Sequence, residues 1–178
     1  MKHFEKLAVV PFLVVIALTA CASSSESSGS ESLGAANSLQ SSGTAVGSGD
    51  FSDVVGKEWR LAELRLVSRR IEINRDKLEA EGFGEIFTLR FGDSLVSGTG
   101  APNTYRGPYT LTGNQAVSIG MLASTQMAAF REPEELKEHD FYGYLHDVYR
   151  WNLANGNLEL YTRGTGGTEA VLVFASVR

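Results

Sequence analysis

The sequence predicts an α+β domain: a curved antiparallel sheet or open barrel carrying one main helix, behind an export leader and a disordered tether. Three observations predict it. Short runs of alternating apolar and polar residues recur along the last two-thirds of the chain, with turn residues between them. One segment near position 140 repeats its apolar residues at helical spacing instead. Ahead of both lies a stretch too poor in apolar residues to fold.

The leader is expected over residues 1–20. Lys2 and Lys6 supply a positive start, and Leu7 to Leu18 is almost wholly apolar. At about a dozen residues the apolar run falls short of the roughly 20 that cross a bilayer as a mature helix. The segment Leu18-Thr19-Ala20-Cys21 resembles the bacterial lipobox, whose cysteine is acylated and becomes the first residue of the mature protein. Cys21 is the only cysteine in the chain, so no intrachain disulfide can compete for it. The resemblance implies attachment to membrane lipid through Cys21 and residence in the cell envelope. Ala22 after the cysteine favours the outer membrane over the inner.

Residues 21–52 are expected to form a tether. Ala22 to Asp50 is rich in serine and glycine and has no aromatic, lysine or arginine residue, so it cannot bury enough apolar area to offset its ordering entropy. Its mean span as a flexible coil is roughly 30 Å. The chain carries 16 basic and 21 acidic residues, a net charge of −5, and loss of the leader makes it one charge more negative. That balance excludes a basic footprint for nucleic acid.

Residues 53–178 are the size of one domain. Strands are expected around Trp59 and Leu61, from Ile86 to Phe91, from Leu95 to Thr99, and then over Tyr109 to Thr112, Ala116 to Ile119, Tyr149 to Leu153, Leu158 to Thr162 and Ala170 to Ser176. Turns are expected at Gly92-Asp93, Gly113-Asn114, Asn155-Gly156 and Gly164 to Gly167. Asn74 to Gly84 reads as a loop or a short surface helix. The main helix is expected to open at Glu132-Pro133, with proline at the first helical position and acids at the positive dipole end. Phe141, Tyr144, Leu145 and Val148 would form its buried face, and Glu138 would face solvent.

The ordered set Trp59-Arg-Leu61, Val96-Ser-Gly98, Asn103 through Gly107-Pro-Tyr109, Thr125-Gln-Met127, the acidic helix and Leu158-Glu-Leu160 resembles the META domain of HslJ-like lipoproteins. The likeness spans Val54 to Phe174. That pattern has cysteines where this chain has Pro102 and Ala129, so any covalent or redox role they hold elsewhere cannot operate here. The resemblance implies an exported, non-catalytic interaction or stress-related module whose envelope partner it does not identify. Asn103, Tyr105, Gly107, Tyr109, Thr125 and Met127 are the candidate motif, either a strand connection or a small-ligand site at the barrel mouth.

An enzymatic alternative rests on Phe91-Gly-Asp-Ser-Leu95, which copies the nucleophile block of GDSL-type esterases. Activating Ser94 would need a histidine base held by a carboxylate. The candidates, His139 and His146, lie in the expected helix, and neither has the aspartate three residues earlier that the esterase pattern places there. Those two histidines also make a poor metal site without a third ligand. No catalytic residue, metal or cofactor is expected.

Overall fold

The computed structural model describes residues 49–113, 115–164 and 167–177. The leader, Cys21 and the tether through residue 48 lie outside them, as do Asn114 and Thr165-Gly166 of two expected turns.

Ten strands and two helices follow a single 3₁₀ turn, Phe51–Asp53. The first half of the chain contributes β1 (Trp59–Leu66), β2 (Arg70–Glu72), α1 (Arg75–Ala80), β3 (Thr88–Phe91), β4 (Leu95–Thr99) and β5 (Thr104–Leu111). After them come β6 (Val117–Ile119), β7 (Ala123–Ser124), α2 (Glu138–His146), β8 (Val148–Ala154), β9 (Asn157–Arg163) and β10 (Glu169–Ser176). The strands pair antiparallel in the order β6-β5-β4-β3-β1-β10-β9-β8, with β2 added beside β1 and β7 beside β5. The two ends of this path meet. Ala116 bridges Arg150, and the Trp151 amide donates to the Gln115 carbonyl at 2.9 Å, so the sheet is a nearly closed barrel.

The alternation expected from the sequence sets which side chains fill it. Trp59, Leu61, Leu64, Leu89, Phe91, Val96, Leu158, Leu160, Leu172 and Phe174 are all buried. A bulge between Leu61 and Glu63 bends β1. The β8–β9 hairpin turns at Asn155 and Gly156, both at positive φ, as its two-residue turn requires. Gly98 is set by close approach, since a Cβ there would run into the Thr88 carbonyl oxygen.

Four expectations change. Phe51, assigned to the tether, packs its ring 5.1 Å from Phe91 and 5.0 Å from Trp151, because an aromatic side chain gains more from the core than from solvent. The strand expected from Ile86 begins at Thr88, since Phe87 sits at φ 53°. Arg75 holds that kink by donating to the carbonyls of Leu61 and Ile86, and burial, with Arg60 nearby, pulls its guanidinium down to about 10. β5 begins five residues before Tyr109. α2 opens at Glu138, not at Glu132-Pro133, and Val148 belongs to β8. Glu134 and Glu135 instead pair with Lys77 of α1 at 3.0 and 2.8 Å, which draws the lead-in away from the helix axis.

Outside the barrel wall, Glu159 accepts from Arg65 at 2.8 Å, Tyr161 at 3.0 Å and Asn152 at 3.1 Å. Burial alone would raise its pKa, but these donors outweigh it and hold the carboxyl below the usual range. A depressed folded pKa adds stability that is full above the unfolded value, about 4.3, and is lost as pH falls through the carboxylate range. Glu159→Gln should therefore destabilise at pH 7 and shrink the loss on acidification. Urea unfolding from neutral pH down to about pH 3, below the unfolded carboxylate value, checks it, and parallel pH curves for the two proteins would sink it.

Candidate functional site

The motif residues assemble around the connection between β4 and β5. Gly100 to Asn103 form a tight loop closed by the Gly100 amide on the Asn103 carbonyl at 2.6 Å. This loop lies over the first turn of α2, whose cap residue Lys137 makes no side-chain capping bond.

Asn103 is 6% exposed, and its amide group is fully used. Its Oδ1 accepts from the Thr125 hydroxyl at 2.9 Å and the Met127 amide at 2.6 Å. Its Nδ2 donates to the Met127 carbonyl at 3.2 Å and to Glu138 Oε2 at 2.7 Å. Thr125 Oγ1 also accepts from the Thr104 amide at 3.2 Å. Three separate segments are thereby tied at one side chain: the β4–β5 loop, the run after β7 and the start of α2. The positions of Pro102 and Ala129 flank this knot, so hydrogen bonds rather than a covalent link join these segments here.

Glu138 is the residue that sequence reasoning missed. It was expected to face solvent; instead its Oε1 accepts from the amides of Ala101 at 2.5 Å and Asn103 at 2.7 Å. The Tyr142 hydroxyl, one turn along α2, lies 3.2 Å from the same oxygen and 3.1 Å from the Asn103 carbonyl. A signal existed in the Glu138/Tyr142 spacing of four, which places both on one helical face. Burial, then the Glu138 charge, pushes the Tyr142 phenol well above its ordinary value.

The other motif residues lie apart from the knot. Tyr105 is buried and donates to the Thr88 carbonyl at 2.8 Å, and burial pushes its phenol far up. Tyr109 donates to the Gly92 carbonyl at 2.7 Å, bracing the β3–β4 turn from inside. Gly107 gives room to the chain at Met121 and Leu122, each of which a Cβ there would crowd at 2.8 Å. Met127 enters the knot through its backbone alone, and the residue is 55% exposed.

Ser94 lies just beyond the Gly92-Asp93 turn, in a groove lined by Arg90, Asp93, Ser97 and Arg106, with no histidine among its lining residues. His139 and His146 are exposed on α2, where they border a separate open groove of about 500 Å³ with Met121, Leu122 and Tyr142. His146 Nδ1 sits 2.9 Å from the Asp147 carboxylate. Among the described residues no cluster of three histidine, cysteine or acidic side chains is arranged to hold a metal.

A match to the META domain covers residues 52–176, and so takes in the knot, both grooves and the whole barrel. The chain belongs to the META domain family. A protein from Burkholderia xenovorans, solved by NMR, superposes with a TM-score of 0.51 at 19% identity over 70% of this chain and 83% of that one. A DUF4847 family protein from Bacteroides vulgatus gives a TM-score of 0.49 at 14% identity, over 70% of this chain and 95% of that one. The first of these likenesses supports the META barrel as a fold and carries nothing about activity. No curated protein sequence matches the chain.

Proposed function

We propose that this protein is an envelope lipoprotein in which acylated Cys21 tethers a META domain acting as a non-catalytic interaction module. The observation that carries the reading is Leu18-Thr19-Ala20-Cys21 behind a positive, apolar leader, in a chain with no other cysteine. One acyl chain binds a membrane only marginally, at about 0.8 kcal/mol per buried CH₂, whereas the two or three on a lipidated cysteine hold it essentially permanently. The Ser/Gly tether then gives the domain a reach of roughly 30 Å from the lipid surface, enough to meet a partner in the envelope. Ala22 favours the outer membrane as the destination.

Cys21→Ala should leave an unprocessed precursor without label when cells are fed a clickable fatty acid. Equal label on wild type and variant would refute the anchor.

The non-catalytic part of the reading is supported by the surroundings of Ser94, which offer arginines and an aspartate but no histidine to take its proton. The protein should neither hydrolyse short or medium acyl esters nor take up a fluorophosphonate probe at Ser94. Probe labelling that Ser94→Ala abolishes would establish the esterase instead.

A further inference from the structure

On the outer face of the barrel, Arg90 of β3 is in register with Ser97 of β4, and Ser97 is in register with Arg106 of β5. The neighbours of these residues along each strand, Leu89, Phe91, Val96 and Tyr105, point into the core. The three side chains therefore stand in one row on the solvent side, with the two arginine Cα atoms two strand spacings, about 10 Å, apart. Both arginines are exposed.

Most other basic side chains among the described residues are engaged. Arg60 pairs with Glu85, Arg65 with Glu63 and Glu159, Lys77 with Glu134 and Glu135, and Arg150 lies 3.7 Å from the centre of the Tyr161 ring. Among the described residues, Arg90 and Arg106 have no carboxylate, carbonyl or ring partner. They border one groove of about 510 Å³, with Ser97 between them. A second groove of about 640 Å³ shares Ser97 and Arg106 and continues past the hydroxyls of Thr99, Thr104 and Ser124.

We propose that this row is a binding site for a phosphate ester of a polyol, with Arg90, Ser97 and Arg106 holding the phosphate and the adjoining hydroxyls meeting the polyol. Two like charges held in one groove repel each other, and a bridging anion removes that cost. Each guanidinium presents a planar fork that matches two phosphate oxygens, and a serine hydroxyl donates to a third. Asp93 lines the turn end of the groove and opposes an anion there, which leaves the Ser97 end for the phosphate. The hydroxyl-lined continuation accounts for a polyol, because hydroxyls both donate and accept.

Calorimetric titration of the full acylated chain in non-ionic detergent tests this, with glycerol 1-phosphate as probe and glycerol as control. Saturable heat with glycerol 1-phosphate and none with glycerol is expected. Arg90→Gln and Arg106→Gln should each weaken binding about tenfold, the order lost with one charge-assisted bidentate contact. Lysine at either position should weaken it less than glutamine, and Arg69→Gln, an exposed arginine in the β1–β2 turn, should leave it unchanged. These side chains are exposed, so the melting temperature should stay constant; Ser97→Ala, a smaller change, should weaken binding by a lesser factor. Doping the micelles with phosphatidylglycerol, against phosphatidylcholine, separates the sources of the phosphate. Competition by phosphatidylglycerol marks a lipid headgroup, and its absence marks a soluble or glycan phosphate, the site standing in both cases. Absence of saturable heat, equal heat with glycerol, binding that survives Arg90→Gln with Arg106→Gln, or equal loss with Arg69→Gln would overturn it.

Discussion

Glu138→Ala should destabilise the domain by about 3 kcal/mol, a cost out of keeping with a half-exposed glutamate at a helix start. The substitution strips the acceptor from the amides of Ala101 and Asn103 and from Asn103 Nδ2, three donors that cannot turn to solvent without opening the loop. A donor left buried without an acceptor costs about 1 to 3 kcal/mol, and partial relaxation of the loop reduces the sum. Glu138→Gln should cost roughly half as much, because its carbonyl still serves the two backbone amides while its Nε2 confronts Asn103 Nδ2, donor against donor. A spectroscopic signature accompanies it. An anion beside a phenol disfavours the phenolate, so removing the Glu138 charge should let Tyr142 ionise at lower pH. Urea unfolding of the three proteins, with ultraviolet titration of tyrosine, checks both statements. A cost for Glu138→Ala no larger than that of an exposed residue such as His139→Ala would mean that the carboxylate does not organise the loop.

The loop partners of Glu138 lie 35 and 37 positions back in the chain, so only the folded loop reveals its role. Strands were legible wherever alternation is enforced by a single buried face, as at Leu89 and Phe91 or from Leu158 to Leu160, because periodicity is itself the physical cause of the placement. Turns with one conformational solution, such as Asn155-Gly156, were legible for the same reason. The helix start was not. Pro133 beside three acids satisfies every local rule for a first turn, yet Lys77, more than fifty residues earlier, takes two of those acids, and Leu136 is buried in the lead-in. Long-range ion pairing and burial overrode a local preference worth only fractions of a kcal/mol per residue. Strands β2 and β7 bury no side chain fully, so neither carries the apolar alternation that marks a strand in sequence. In the candidate motif, the types at Asn103 and Gly107 were readable as turn chemistry, but the partners of Asn103 lie 22 to 35 positions away. Only the folded barrel brings them together.

The row of Arg90, Ser97 and Arg106 was hidden differently. Each residue is an ordinary outward-facing position of its own strand, and nothing in a linear reading distinguishes Arg90 from Arg60 or Arg65. The distinction is made by register, which sets which arginines meet a carboxylate across the sheet and which meet one another. A protein with more acids than bases could have neutralised both guanidiniums, as it does on β1.

Phe141→Ala should cost about 3 to 5 kcal/mol, the largest effect expected of any single change on α2. Its ring is fully buried and sits 5.1 Å from Phe87 and 6.0 Å from Tyr105, so it is the side chain by which the helix closes the barrel. Truncation removes the transfer free energy of the ring and leaves a void that a β-barrel wall, fixed by its ladders, cannot collapse to fill. Phe141→Leu, which keeps most of the volume, should cost about 1 to 2 kcal/mol. The loss should show as a lower urea midpoint with an unchanged slope, since the area exposed on unfolding scarcely alters. Phe141 also lies less than one turn from Glu138, and both residues dock the same end of α2. Once the aromatic plug is gone, the helix start no longer presents the carboxylate at a fixed position, and deleting that carboxylate has less left to lose. Phe141→Ala combined with Glu138→Ala should therefore cost less than the two single changes added together, by 0.5 kcal/mol or more on the scale of contacting residues. Strict additivity in that cycle would mean that loop and plug hold α2 independently, and that the Asn103 knot keeps its geometry without the helix packed beneath it.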